Sequence, residues 1–216
     1  MTEPRRLPRW LWPVGLAGVL VGGGLLAAAP FAATGPSYQN FRIPSESMEP
    51  TLRTREQFIV RTSEFLPIVR GGVYLVRKRD VVFAYRVIGL PGDTVAIINS
   101  KVVLNNQPAN YADSALASAA GSCVSGERPQ IRREVLPGGA AHAIQLCQVS
   151  HGQDMPARKL PPGQYFLLGD NRGNAADSRY DGRDWGLGLV PEGDFIGKAE
   201  RILVSSDSAR IGQEID

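Results

Sequence analysis

The sequence predicts a mainly β protein, an antiparallel β barrel or sandwich behind one N-terminal transmembrane helix. Three observations predict it. Beyond residue 34 the apolar residues gather in short β-branched or aromatic runs bounded by turn residues. No stretch outside residues 10–33 shows sustained helical periodicity. Gly (24) and Pro (16) are frequent enough among 216 residues to punctuate many turns.

Residues 10–33, WLWPVGLAGVLVGGGLLAAAPFAA, carry no charge, and about 20 apolar residues of helix cross a bilayer. Arg5, Arg6 and Arg9 precede them, which places residues 1–9 in the cytoplasm and the rest of the chain outside. A cleaved secretory signal has a similar makeup. Its apolar core usually runs to only about 7–15 residues, so a retained anchor is the expectation. The lipid bilayer is then a partner, and both readings export the remaining chain.

After Gly35-Pro36 the strand-like runs are Gln57–Arg61, Val73–Val76, Val81–Ile88, Thr94–Ile98, Val102–Leu104, Tyr165–Leu168 and Glu200–Val204. Between Asn105 and Pro162 the composition shifts to Ala, Ser, Gly and Pro. Residues 34–104 and 163–216 are therefore read as one β core, and residues 105–162 as an insertion or small second lobe. The insertion holds both cysteines, Cys123 and Cys147. An even count in an oxidising compartment points to a disulfide, the alternative being two buried thiols. No metal-ligand spacing accompanies them. The net charge of +3, from 24 basic and 21 acidic residues, is spread along the chain and gives a nucleic-acid partner no support.

Three segments could carry chemistry. In Ile43-Pro44-Ser45-Glu46-Ser47-Met48-Glu49-Pro50, prolines on each side of two serines stiffen a turn that can hold a hydroxyl in place. Ser47 is the best candidate for a reacting group. In Tyr85-Arg86-Val87-Ile88-Gly89-Leu90-Pro91-Gly92-Asp93 a β-branched strand runs into a turn. In Gly169-Asp170-Asn171-Arg172-Gly173-Asn174-Ala175-Ala176-Asp177-Ser178-Arg179-Tyr180 a polar stretch follows an apolar strand, and Asp177 and Arg179 could pair to fix a loop.

Together, and in this order behind a membrane span, the three segments resemble the type I signal peptidases, membrane-bound serine endopeptidases of bacterial export. The strand pair around Ile97–Asn105 and the stretch from Trp185-Gly186-Leu187 to Gly197 are similar to further family motifs. The resemblance implies a signal-peptidase-type β fold, removal of signal peptides after small residues, and no cofactor. It implies that Ser47 is the nucleophile and that the Ser45 hydroxyl, with the Ser47 N–H, stabilises the oxyanion. Asp177 and Arg179 match a structural acid–base pair, Asp170 a motif aspartate, and Arg86 the arginine beside the general base.

Two positions depart from the family. Its general base is a lysine directly before that arginine, and here the residue is Tyr85. Neutral tyrosine is a poor proton acceptor, and burial raises its pKa. In an extended strand Tyr85 and Arg86 face opposite ways. The serine that supports the family's lysine is replaced by Ala175. The chain has four lysines, Lys78, Lys101, Lys159 and Lys198, and two histidines, His142 and His151. Lys78, seven positions before Tyr85, faces the other side of an uninterrupted strand. The other lysines belong to other segments, and the histidines are expected as exposed polar residues of the insertion. The expectation is a signal peptidase with Ser47, Ser45 and no identified base. The alternatives are a silent relative that binds exported peptides or a partner peptidase, and a specialised pilin- or conjugation-type processing peptidase.

Overall fold

The computed structural model describes residues 35–63, 66–114, 123, 127–147, 154–180 and 186–216. The segment 1–9, the anchor expected over 10–33, His151 and Trp185 lie outside the described residues. Among the described residues no helix is long and apolar enough to cross a membrane.

The described strands are β1 (Ser37–Arg42), β2 (Gln57–Thr62), β3 (Val73–Lys78), β4 (Val81–Gly89), β5 (Thr94–Ile98), β6 (Lys101–Leu104) and β7 (Gln107–Pro108), followed by β8 (Asn110–Asp113), β9 (Gln130–Val135), β10 (Ala141–Leu146), β11 (Met155–Lys159), β12 (Gln164–Leu168), β13 (Val190–Pro191) and β14 (Phe195–Val204). Every run read as a strand from sequence falls inside one of them. The largest sheet has the order β1-β2-β14-β3-β4-β12-β13, with its neighbours antiparallel. Smaller sheets run β11-β5-β6-β7 and β10-β9-β8.

The barrel in the predicted fold class is corrected: the large sheet is open, and its outer strands β1 and β13 are not neighbours. Closure needs two edges able to pair along their length. β13 has two residues, and β1, SYQNFR, is polar and largely exposed, a makeup that discourages further pairing.

β3 reads VYLV without alternation because it is buried on both faces between β14 and β4. Its last residue, Lys78, pairs with Val81 across the hairpin turn, and Tyr74 is the partner of Tyr85. The face argument for Lys78 is thereby corrected, since the chain reverses at Arg79-Asp80 and residues 78 and 85 belong to different strands. Arg79 takes a φ of 53° in this turn.

The described residues form two apolar clusters. One joins Met48 and Leu52 to Phe58, Leu75, Tyr85, Ala175, Leu167 and Ile202. The other packs Ile88 and Phe166 against Val95, Leu104, Leu136 and Leu160. Full burial of such side chains contributes about 1.5–3 kcal/mol each. The stretch 105–162 enters two sheets: β7 and β11 flank β5 and β6, and β8 to β10 form the three-stranded sheet. Cys123 and Cys147 are joined in a disulfide that closes a loop around β9 and β10. In the chain-entropy view a loop of that size contributes about 3 kcal/mol.

Candidate active site

The serine loop is shaped by its anchors. Met48 and Leu52 are fully buried, and the Leu52 N–H donates to Met48 O at 2.9 Å. At its far end Arg210 holds both oxygens of Glu56, at 2.6 and 2.9 Å, and also donates to Thr51 O. Pinned on both sides, the loop turns Ser47 outward, half-buried, with its Oγ 3.1 Å from Ser45 Oγ. A neutral serine hydroxyl is too weak a proton acceptor for either to serve as the other's base.

The stretch after β12 supports the loop from behind. The Asn171 N–H donates to Ser47 O at 3.0 Å, and Asn171 Nδ2 donates to Glu46 O at 3.1 Å. Asn174 Nδ2 reaches the Glu46 carboxylate at 3.2 Å. Gly169 is required by close approach, because a Cβ there would lie 2.6 Å from Ser47 O and 2.3 Å from Ala175 Cβ. Beneath, Arg86 grips Asp170 through two bonds of 2.8 and 2.7 Å, both side chains buried. Burial alone would raise the Asp170 pKa, but the Arg86 guanidinium outweighs it and holds the carboxyl below its ordinary value. Thr51 also donates to Asp170, which ties the serine loop to the same pair. Arg179 binds Asp177 at 2.8 and 2.9 Å, and Asp177 accepts the Gly169 N–H at 3.0 Å. The two ion pairs fix the two ends of one loop.

Tyr85 is 2% exposed. Its hydroxyl donates to Ala176 O at 3.2 Å, and its ring stacks on Phe83 with centroids 5.9 Å apart. Burial and the nearby Asp177 push its pKa well above the ordinary 10, with Arg179 opposing. The phenol is therefore neutral at any physiological pH. Its neighbour Arg86 points to Asp170 instead, as alternation along the strand requires. Ala175 packs in the same apolar cluster as Tyr85 and Met48. The space behind Ser47 is lined by this apolar cluster, and among the described residues no lysine is hydrogen-bonded to Ser47.

No other described lysine or histidine is hydrogen-bonded to Ser47, whose partner is Ser45. Lys78 Nζ donates to Gly186 O and Leu187 O at 2.5 and 2.6 Å. Lys101 lies over the Tyr111 ring. The expectation that His142 is an exposed polar residue is corrected: it is 7% exposed, with Nε2 2.9 Å from Glu134 Oε2. The strand alternation of β10 turns it inward, where Glu134 and Arg172 offer partners.

This cluster sets an acid sensitivity. Burial, aided by Arg86, lowers the His142 pKa below the ordinary 6.5. The unfolded chain therefore binds the His142 proton first, and stability present above about pH 6.5 is lost as pH falls toward the depressed value. Burial would raise Glu134, but Arg172 outweighs it and holds the carboxyl far below 4.5, so a second loss follows below that pH. Urea unfolding midpoints are expected to fall in these two stages, and His142→Gln is expected to remove most of the first.

Beside the serines opens a cleft of about 290 Å³, with Phe58 and Leu75 among its apolar walls, Ser45 and Ser47 at one side and Val81 to Ala84 of β4 at another. β4 pairs with β12 only from Arg86 onward, so among the described residues the Val81–Ala84 backbone has one open edge. An extended peptide can pair with such an edge while its side chains enter the cleft.

Sequence reasoning placed Ser45, Ser47, Tyr85, Arg86, Asp170, Ala175, Asp177 and Arg179 in or behind this site. It assigned no role to Gly169, Asn171, Arg172 or Glu134. The first three stood inside a segment singled out for its polarity, which was the available signal. Glu134 gave none, since its partner is 38 residues away.

The family model "Signal peptidase, peptidase S26" matches residues 16–204. The chain is 32% identical over 192 residues to a signal peptidase I of Pseudomonas fluorescens, covering 76% of this chain and 64% of that one. It is 28% identical over 170 residues to signal peptidase I S of Bacillus subtilis (strain 168), covering 78% of each. A crystal structure of a signal peptidase I from Enterococcus faecalis V583 aligns with a TM-score of 0.37 at 25% identity, covering 61% of this chain and 96% of that one. The chain thus spans a little under two thirds of the length of the Pseudomonas relative.

Proposed function

The chain belongs to the signal peptidase family, peptidase S26, and on that footing we propose that it is a membrane serine endopeptidase that removes signal peptides from exported proteins. The observation that carries the reading is the Ser45–Ser47 hydroxyl pair at the lip of an apolar cleft with an open strand edge. The substrate lies extended along β4, its side chains facing the cleft. The limited volume favours small residues before the scissile bond. Ser47 Oγ attacks the carbonyl as its proton passes to solvent hydroxide, and Ser45 Oγ–H with the Ser47 N–H meets the developing oxyanion. The amine leaves with a proton taken from water, and a second water then hydrolyses the acyl ester and returns the proton to Ser47 Oγ.

Residues 10–33 anchor the domain, with residues 1–9 in the cytoplasm and the peptidase domain on the outer face of the membrane, where exported precursors emerge. Asp170 with Arg86, and Asp177 with Arg179, hold the loop behind Ser47. Tyr85 stands where the family's lysine would be and does not act as the base. Family membership supports processing over the alternative of a relative that only binds exported segments.

Cleavage of a signal-bearing precursor in detergent, with products mapped by mass spectrometry, tests this reading. A single cut after a small residue is expected, together with at least a tenfold loss when that residue is replaced by Phe. No cut, or one indifferent to that replacement, would refute it.

A further inference from the structure

Glu134 lies on β9, in the three-stranded sheet, and is fully buried. Each of its oxygens has two partners. Oε1 accepts from Tyr111 Oη at 2.6 Å and from an Arg172 amino group at 2.8 Å. Oε2 accepts from the other Arg172 amino group at 2.5 Å and lies 2.9 Å from His142 Nε2. Arg172 is 4% exposed and donates its Nε–H to Gly169 O at 3.1 Å. Backbone bonds run beside these: Arg172 N–H to Gln145 O at 3.0 Å, and Gln145 N–H to Asp170 O at 2.8 Å. Gln145 and Asn171 form a parallel bridge. The loop is therefore gripped from β9 and β10 by a side-chain fork and a backbone bridge together.

The next residue back from Arg172 is Asn171, which donates to Ser47 O and Glu46 O. Between the Glu134 carboxylate and the backbone of Ser47 there are thus one ion pair, one peptide step and one hydrogen bond. We propose that Glu134 is a positioning residue for Ser47: through Arg172 it sets where Asn171 holds the serine's carbonyl, and so where the Ser47 hydroxyl and N–H stand relative to Ser45. The three-stranded sheet is then part of the catalytic support, and the disulfide that closes around β9 and β10 supports the part bearing Glu134.

Buried ion pairs contribute little net stability, and in some proteins they fix one arrangement among several. A merely structural Glu134 would hold the sheet in place and leave the serine untouched. Energetically a single removal is the harsher change, because it strands Arg172 as an uncompensated buried charge. The joint replacement Glu134→Met with Arg172→Met removes both charges and conserves apolar volume, which keeps the fold testable.

The inference rests on the signal-peptidase reading for its kinetic consequence but not for its structural one. Amide exchange of the Asn171 N–H, followed by NMR in the full-length protein in detergent, reports the bond to Ser47 O directly, whether or not the protein cleaves anything. Glu134→Gln and the double Met replacement are expected to speed that exchange at least tenfold while the β3 and β14 amides keep their protection. In the precursor assay they are expected to lower kcat about tenfold with KM within twofold, and Glu134→Asp is expected to recover part of the loss. Unchanged Asn171 exchange in a folded double variant overturns the proposal. So does a loss confined to KM. Absence of cleavage in the natural protein defeats the functional reading alone, and the exchange result then decides the positioning role.

Discussion

Replacing Tyr85 by Lys together with Ala175 by Ser is expected to raise kcat for precursor cleavage by about 10²–10⁴, the usual contribution of a positioned general base. The Tyr85 side chain already points behind the serine loop and reaches Ala176 O at 3.2 Å. A lysine from the same Cα enters the same buried space, and desolvation there lowers an amine's pKa toward neutrality. The hydroxyl at 175 matters because a buried amine with one carbonyl partner is left under-satisfied. Ala175 sits against the Cα of Gly169 and in the cluster that holds Tyr85, so the added oxygen lies beside the new amine. Tyr85→Lys alone is expected to gain less than the pair. Single-turnover rates of the three proteins, each checked for folding by circular dichroism, measure the effect. Equal rates in the natural and doubly replaced proteins would show that the space behind Ser47 is not where a base acts.

Ser45→Ala is expected to lower kcat by about 10²–10³, the cost of deleting one oxyanion donor. Ser45 is exposed and, among the described residues, its side chain bonds only to Ser47 Oγ at 3.1 Å, so stability is expected to change little. KM should stay within a few-fold, because the donor meets charge that develops only after attack. A drop in both thermal midpoint and KM-determined affinity, with kcat preserved, would assign Ser45 to the loop's architecture instead. Ser45→Thr keeps the hydroxyl and is expected to retain part of the rate.

The strands were legible because their signal is local. β2, β3, β4, β5, β6, β12 and the end of β14 announce themselves as β-branched runs, and burial on both faces of β3 leaves VYLV unbroken by polar residues. β1 was missed because SYQNFR is an edge strand with almost nothing buried, so no apolar pattern marks it. The strands of the stretch 105–162 were hidden for a related reason. β9, QIRREV, buries Ile131 on one face and Glu134 on the other rather than an apolar row, because the face bearing Glu134 completes an ion cluster. Barrel or open sheet could not be read at all, since closure depends on which edges meet.

At the site, the serines and the motif residues were legible by resemblance, and the two departures at Tyr85 and Ala175 were visible in the sequence itself. The structure adds what fills their place: a neutral phenol donating to Ala176 O, an apolar cluster and, among the described residues, no amine bonded to Ser47. It also adds Asn171, which donates to the Ser47 carbonyl, and Gly169, which packs closely against it. Their roles depend on a backbone contact across more than 120 positions of chain, which no local pattern encodes.

As proposed, Ser47 is the nucleophile of a signal peptidase in which the neutral Tyr85 stands at the position of the family's buried lysine base. The most direct test is the pH dependence of single-turnover precursor cleavage between about pH 6 and 10, with Ser47→Ala as the reference. With no base titrating near neutrality, the Ser47-dependent rate is expected to climb about tenfold per pH unit across that range, driven by hydroxide, and to vanish in Ser47→Ala. A plateau with an apparent pKa between about 6 and 9 would contradict the account, because it would place a working base beside Ser47.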